Sequence, residues 1–151
     1  MTLDELTAYL HAHIPSTRAL GARAARSDGT SLRLEAPLAP NLNHAGTAFG
    51  GSLSAIALLA GWAVVHLLLR EHGVANRLVV QRSAMEVLAP VDGDFAATAR
   101  IPSPEGWRRF LATLERHGRA RLTVPVEVAC RSGLCARHEG TYAAVRLPGE
   151  P

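Results

Sequence analysis

At 151 residues and 48% hydrophobic composition, the chain is the size of one domain and can bury a core without disulfide or metal staples. All sixteen basic residues are arginine, which excludes Schiff-base lysine chemistry and argues against a phosphate-binding P-loop. A formal charge of +3 and a pI near 9.5 suit anionic partners such as a phosphorylated cofactor or an acidic carrier protein. With 5% aromatic residues and no zinc, RRM or helix-turn-helix pattern, the basic charge does not make a nucleic-acid module.

Met1 to His13 predicts an amphipathic helix with Leu3, Leu6, Tyr9 and Leu10 on one face. It carries Asp4 and Glu5 and lacks the basic start and apolar run of an export signal, so the expected compartment is the cytoplasm. Arg18–Ala25 and Ser31–Ala36 predict two strands joined by the turn Ser27-Asp28-Gly29-Thr30, with Leu32 and Leu34 alternating against Arg33 and Glu35. Pro37 and Pro40 then stop the strand and lead into an Asn-rich loop.

That loop, Asn41-Leu42-Asn43-His44-Ala45-Gly46-Thr47-Ala48-Phe49-Gly50-Gly51-Ser52-Leu53, runs into a segment apolar on nearly every face as far as Leu69. It sets polar side chains and two adjacent glycines at the mouth of a buried helix, where a small carbonyl-bearing ligand could sit against backbone N–H groups. The length suits a membrane span. Three features oppose that reading: Gly50, Gly51, Ser52 and Ser54 weaken one end, His66 lies inside, and strand patterns flank both sides. A helix apolar all round in a soluble protein must be wrapped by something, here a curved sheet.

Four further strands are expected, at Arg77–Leu88, Asp94–Ile101, Arg119–Cys130 and Leu134–Leu147; Pro125 marks the Arg119–Cys130 strand as an edge or bulged one. Pro104 opens a helical insert ended by His117-Gly118, with Trp107, Phe110, Leu111 and Leu114 on one face and Arg108, Arg109 and Arg116 on the other. Cys130 and Cys135 face each other across a turn at Ser132-Gly133; a disulfide is conceivable there, and a reduced structural pair is the expectation for a chain without an export signal. The fold class implied is α+β, one domain over residues 1–151: an antiparallel sheet wrapped around one long buried helix, with an N-terminal helix and a small helical insert. It resembles the hotdog fold.

Asn43 through Leu53, followed by Ala60-Gly61-Trp62, is similar to the signature of the thioesterase family that also forms the C-terminal domain of the YiiD acyltransferase. Ala89-Pro90-Val91 and Gly118-Arg119-Ala120-Arg121-Leu122 support the resemblance, which spans roughly residues 1 to 148. It implies an enzyme acting on acyl groups held as thioesters by coenzyme A or acyl carrier protein, dimeric or larger, with sites at the subunit boundary. It implies no cofactor beyond the coenzyme A or phosphopantetheine of the substrate; the histidine and cysteine spacing, the composition and the features of the apolar segment in turn predict neither metal, nucleic acid nor membrane as partner. Many hotdog thioesterases place His-Gly-Gly before the helix and an acid about two turns into it. This chain has Phe49-Gly50-Gly51, a leucine near that helical position (Leu58), and no acid between Glu35 and Glu71. A base for water must come from elsewhere: Glu71, Glu86, Asp92, Asp94 or a second subunit.

Hydrolysis needs an activated water, whereas decarboxylation of a malonyl thioester needs an oxyanion site and a poorly hydrated pocket. Some members of the family are associated with converting malonyl-ACP to acetyl-ACP in fatty-acid initiation, and this is the specific reaction expected, with acyl-CoA or acyl-ACP hydrolysis and a non-catalytic acyl-carrier-binding module as alternatives. Asn43 is expected to donate to the thioester oxygen, against the plain reading of an Asx-turn residue; His44 is either a proton donor to the carbanion or a solvated loop histidine. Asn41 reads as structural. Ser52 is a nucleophile candidate without a triad, and Thr47 suits helix capping as well as ligand contact. Phe49, Gly50 and Gly51 are expected to border the substrate. Arg108 and Arg109, with Arg116, Arg119 and Arg121, form either a patch for phosphates or an acidic carrier, or a plain solvated face. His66 reads as a satisfied core residue, and the remaining histidines show no ligand spacing.

Overall fold

The structure, a computed structural model, describes residues 1–148. Its first helix, α1 (Leu3–His13), starts at a capping box in which the Thr2 hydroxyl accepts from the Glu5 N–H and the Glu5 carboxylate accepts from the Thr2 N–H. Leu6 and Leu10 on one face are fully buried, as the apolar spacing requires. A short turn of helix, α2 (Ser16–Ala19), follows, and the first strand, β1, runs Arg23–Ser27. The expected strand start at Arg18 is thus corrected: Pro15 sets up a helical turn, and Gly21 at φ 68° reverses the chain before the strand begins.

The strand β2 (Ser31–Ala36) pairs with β1 across the anticipated turn, which Asp28 holds by accepting from the N–H groups of Thr30 and Ser31. The long helix α3 (Gly50–Glu71) comes next, followed by β3 (Asn76–Val87), β4 (Phe95–Arg100), α4 (Pro104–His117), β5 (Arg119–Cys130) and β6 (Gly133–Arg146). Ser103 caps α4, and Gly118 ends it in the left-handed region at φ 71°. All six strands form one antiparallel sheet in the order β1-β2-β4-β5-β6-β3.

α3 is long and apolar enough to cross a membrane, and 67% of its most apolar window is buried against the sheet instead. Tyr142 on β6 fixes the helix height: its hydroxyl donates to the Leu58 carbonyl at 2.7 Å, and a Cβ on Gly61 or Gly140 would run into its phenol ring. Trp62 anchors the other flank, its indole N–H donating to the Leu78 carbonyl at 2.9 Å. The core draws on α1, α3, α4 and five strands, β3 adding only partly buried residues such as Leu78 and Met85.

Pro125 corrects one expectation, because β5 is a central strand and its bulge falls at Val128/Ala129. The proline stands one residue beyond the last β4 pair, Ala99 with Val126, where β5 loses its neighbour on that side. The β5–β6 turn also sits one residue earlier than expected, at Arg131-Ser132. Cys130 and Cys135 are free thiols with their sulfur atoms 3.1 Å apart.

Candidate active site at the start of the buried helix

The loop before α3 is a small hairpin closed by an isolated bridge between Leu42 and Ala48. Asn43 organises it. Its Oδ1 accepts from the N–H groups of Ala45 at 2.8 Å and Thr47 at 3.1 Å, while its amide N–H groups donate to Thr47 Oγ1 at 2.9 Å and the Ala48 carbonyl at 3.3 Å. This is the Asx-turn arrangement, and it engages both amide hydrogens. Gly46 turns the tip at φ 78°. Asn41 is buried and pins the loop base to the first third of the chain by donating to the carbonyls of Leu20 at 2.9 Å and Pro37 at 2.7 Å. Its own carbonyl accepts from the Phe49 N–H, and Val91 accepts from the Ala48 N–H at 2.8 Å.

These bonds deliver the chain to Gly50 at the exposed end of a largely buried helix. Phe49 takes the N-cap position with no capping side-chain bond, and nothing among the described residues accepts from the first-turn N–H groups of Gly50, Gly51 and Ser52. Gly50 and Gly51 are exposed, and a Cβ on Gly50 would meet nothing within 4 Å. A Cβ on Gly51 would strike the Phe49 ring, which lies across it, 58% exposed. The site is therefore an open set of N–H donors at the positive end of a helix dipole, partly roofed by one movable aromatic ring.

The other expected site residues divide. Thr47 does not cap α3, because its hydroxyl accepts from Asn43 and the helix begins three residues later. Ser52 is buried and makes no side-chain hydrogen bond to an imidazole or a carboxylate among the described residues. His44 is exposed on the loop. Of the acids considered as bases, Asp94 caps the Leu38 N–H at 2.9 Å, Asp92 is exposed beside Val91, Glu86 is exposed on β3, and Glu71 closes the far end of α3. Arg108 and Arg109 are exposed on α4, which packs on the start of β5. By register that is the end of the sheet opposite the loop, so one chain does not bring these arginines to its own Gly50.

His66 is not the satisfied core residue expected: it stacks between Tyr9 and Trp62 at centroid distances of 4.9 and 4.7 Å, with Nε2 buried and unpartnered. Burial pushes its pKa below the ordinary imidazole value.

One pair escaped the sequence reading. Ser83 on β3 and His138 on β6 share a hydrogen bond of 2.7 Å between Oγ and Nε2. The imidazole is 3% exposed, its Nδ1 has no partner, and burial holds its pKa below 6.5 against the opposing field of Glu139. It is a neutral base near pH 7. Ser83 itself is exposed, on an edge strand. β6 and α3 set out from the same end of the sheet, and Tyr142 meets α3 at Leu58. His138 lies four residues earlier on β6, on the same buried face as Tyr142 and toward the end of the strand from which the α3 entry loop departs. Nearby, α2, α3 and β3 enclose a mostly apolar groove of about 450 Å³, lined by Ala55, Leu58, Leu59, Trp62, Leu78 and Val80 among others. The inward alternation of β6, with His138, Gly140, Tyr142 and Ala144 all buried, was the available signal. Ligand spacing alone did not reveal it.

The comparisons agree with this architecture. A protein of unknown function from Chlorobaculum tepidum TLS superposes with a TM-score of 0.90 at 31% identity, covering 95% of this chain and 94% of its own. A structure described as a putative thioesterase from Shewanella oneidensis gives 0.85 at 30% identity, covering 95% and 96%. A thioesterase from Haemophilus influenzae shares the fold at a TM-score of 0.80 and 18% identity, covering 99% and 94%. Residues 3–146 match the family described as "Putative thioesterase (yiiD_Cterm)", and with the wrapped helix, the six-stranded sheet and the uncapped helix start in place, the chain belongs to that family of hotdog thioesterases.

Proposed function

We propose that the protein hydrolyses short acyl thioesters carried by coenzyme A or acyl carrier protein, binding the thioester oxygen at the start of α3. The observation that carries this is the trio of unpartnered N–H groups at Gly50, Gly51 and Ser52 on an exposed helix end. Donors fixed in place before the reaction stabilise the negative charge that develops on the oxygen, an effect worth about 3–4 kcal/mol per donor in comparable sites. In this reading Asn43 shapes the loop that aims those donors, and the groove beside Leu58 and Trp62 takes the acyl chain or pantetheine arm.

The sequence alone favoured decarboxylation of malonyl-ACP because no base was in sight. His138 supplies one, which moves hydrolysis to first place. Decarboxylation stays as the second reading on one specific observation: α3 presents no acid until Glu71, so a malonyl carboxylate would meet an apolar wall and no water-activating group on that helix.

Assembly as a homodimer belongs to the same proposal. β3 is an edge strand, and Val79, Val80, Val87 and the following Leu88 are 46%, 42%, 53% and 44% exposed, an apolar strip that a second copy would cover. Light scattering reads that mass directly.

The deciding experiment incubates the protein with acetyl-CoA, malonyl-CoA and malonyl-ACP and follows free thiol together with product mass. Hydrolysis gives thiol and free acid in equal amounts. An acetyl thioester formed from malonyl-ACP without thiol would establish decarboxylation, and tight binding without either product would leave a carrier-binding module.

A further inference from the structure

We infer that Ser83 and His138 form a nucleophile–base pair, and that thioester hydrolysis here passes through an acyl group on Ser83; the inference rests on the hydrolytic reading above. Three observations converge on the pair. The hydroxyl and Nε2 are 2.7 Å apart, the distance a base needs to take a proton during attack. In one chain the histidine is almost wholly buried while the serine lies open on β3, the edge that the proposed second copy would meet, so the base is shielded and the hydroxyl stands at the subunit boundary. Finally, Nδ1 has no partner among the described residues. A buried unpaired nitrogen costs stability, and Nδ1 shares that state with Asn41 Oδ1, His66 Nε2 and Trp107 Nε1; what sets His138 apart is that its other nitrogen holds a hydroxyl.

The surroundings keep the imidazole neutral. Its partners on the neighbouring strands are Met85 and Val126, neither charged. α3 holds no ionisable side chain before His66, and Glu139, with its side chain on the opposite face of β6, is the charge whose field reaches the ring. With the proton on Nδ1, the Ser83 hydroxyl donates to Nε2.

In the first step Ser83 Oγ attacks the carbonyl carbon, its proton passes to Nε2, and the carbonyl oxygen becomes an oxyanion, for which the proposed donors are the N–H groups at the start of α3, of this chain or of the second copy. Collapse breaks the carbon–sulfur bond, and the departing sulfur takes the proton from Nε2, leaving a free thiol and an ester on Ser83. In the second step water attacks that ester while Nε2 takes its proton. The proton then returns to Ser83 Oγ as the carboxylic acid leaves. Water is the only co-reactant, and no electrons are exchanged.

The test treats the full-length protein with a fluorophosphonate, a stable probe of activated serines, and locates the label by peptide mass spectrometry alongside thiol release from acetyl-CoA. The expected result is label on Ser83, absent from Ser83→Ala and slowed about a hundredfold or more in His138→Gln, with thiol release reduced to a similar floor in both variants. Ser83→Ala also strips Nε2 of the buried imidazole of its partner, so circular dichroism and light scattering check both variants, and Ser83→Thr, which keeps a hydroxyl, is expected to retain part of the label and of the thiol release. Full thiol release by Ser83→Ala, or an unlabelled Ser83 in an actively hydrolysing wild type, would overturn the pair and leave thioester hydrolysis standing. Label on Ser83 without any thiol release would do the reverse. Neither label nor thiol release would overturn both.

Discussion

The loop from Asn41 to Phe49 and the Ser83–His138 pair handle their polar groups in opposite ways. In the loop, Asn43 spends both amide hydrogens and its carbonyl on its own neighbours, and the Asn41 amide spends both of its hydrogens on backbone carbonyls, leaving only Asn41 Oδ1 without a partner among the described residues. In the sheet, His138 keeps one nitrogen empty and turns the other to an exposed hydroxyl. In the proposed mechanism the conspicuous polar residues of the motif are scaffold, delivering the helix start and its N–H groups, while the reactive side chains come from strands that read as ordinary. A polar group already satisfied by the fold is held still; one left unsatisfied is available.

The largest effect that sharpens this contrast is expected at His138. His138→Gln should cut kcat/KM for a short acyl thioester by about two to four orders of magnitude, read by thiol release. The wild-type profile carries a matching signature. Only the neutral imidazole acts as base, and burial lowers its pKa below 6.5, so the rate should rise with pH through a midpoint below that value and stay level above it. A midpoint above 6.5 would break the assignment.

Next comes the loop. Asn43→Ala removes four hydrogen bonds and should lower kcat/KM by about tenfold through disorder of the helix entry, whereas Asn43→Asp, which keeps the acceptor for Ala45 and Thr47, should recover part of the loss. If both variants lost activity as completely as His138→Gln, Asn43 would be a direct ligand of the oxyanion and the division between scaffold and chemistry would fail.

Stability tests follow. Gly61→Ala drives a methyl into the Tyr142 phenol and should cost about 1–3 kcal/mol in urea unfolding, although alanine is the better helix former. His66 and His138 both have lowered folded pKa values, so the unfolded chain takes up protons first as pH falls. Stability should be full above about 6.5, the ordinary imidazole pKa, and decline as pH drops from there toward the folded values. The smallest effect is expected for Gly51→Ala. The clash is with the ring of the exposed Phe49, which can swing away, so the melting temperature should change by no more than a few degrees.

The sequence made most of the fold legible, and physical reasons mark where it did not. Alternation of apolar and polar residues placed β2 and β5 to the residue, because each buries one face, and strand-type composition placed β3, β4 and β6 to within one. The start of β1 was misplaced because Pro15 and Gly21 exert a local control that periodicity does not register. The polar mouth on α3 was visible as Asn43 through Ser52, and whether its side chains were free or bonded to one another was not, since that depends on the turn at Gly46. Ser83 and His138 are 55 residues apart, and only the β3–β6 register makes them neighbours. No spacing rule within one segment reaches that far.

Hydrolysis by donors at the start of α3 with His138 as base stands or falls on thiol release from acetyl-CoA by wild type and His138→Gln, followed across pH. Thiol and acetate are expected in equal amounts, with a rate that falls away below a midpoint under 6.5 and at least about a hundredfold loss in the variant. Equal rates in the two proteins, or consumption of the thioester without free thiol, would contradict it.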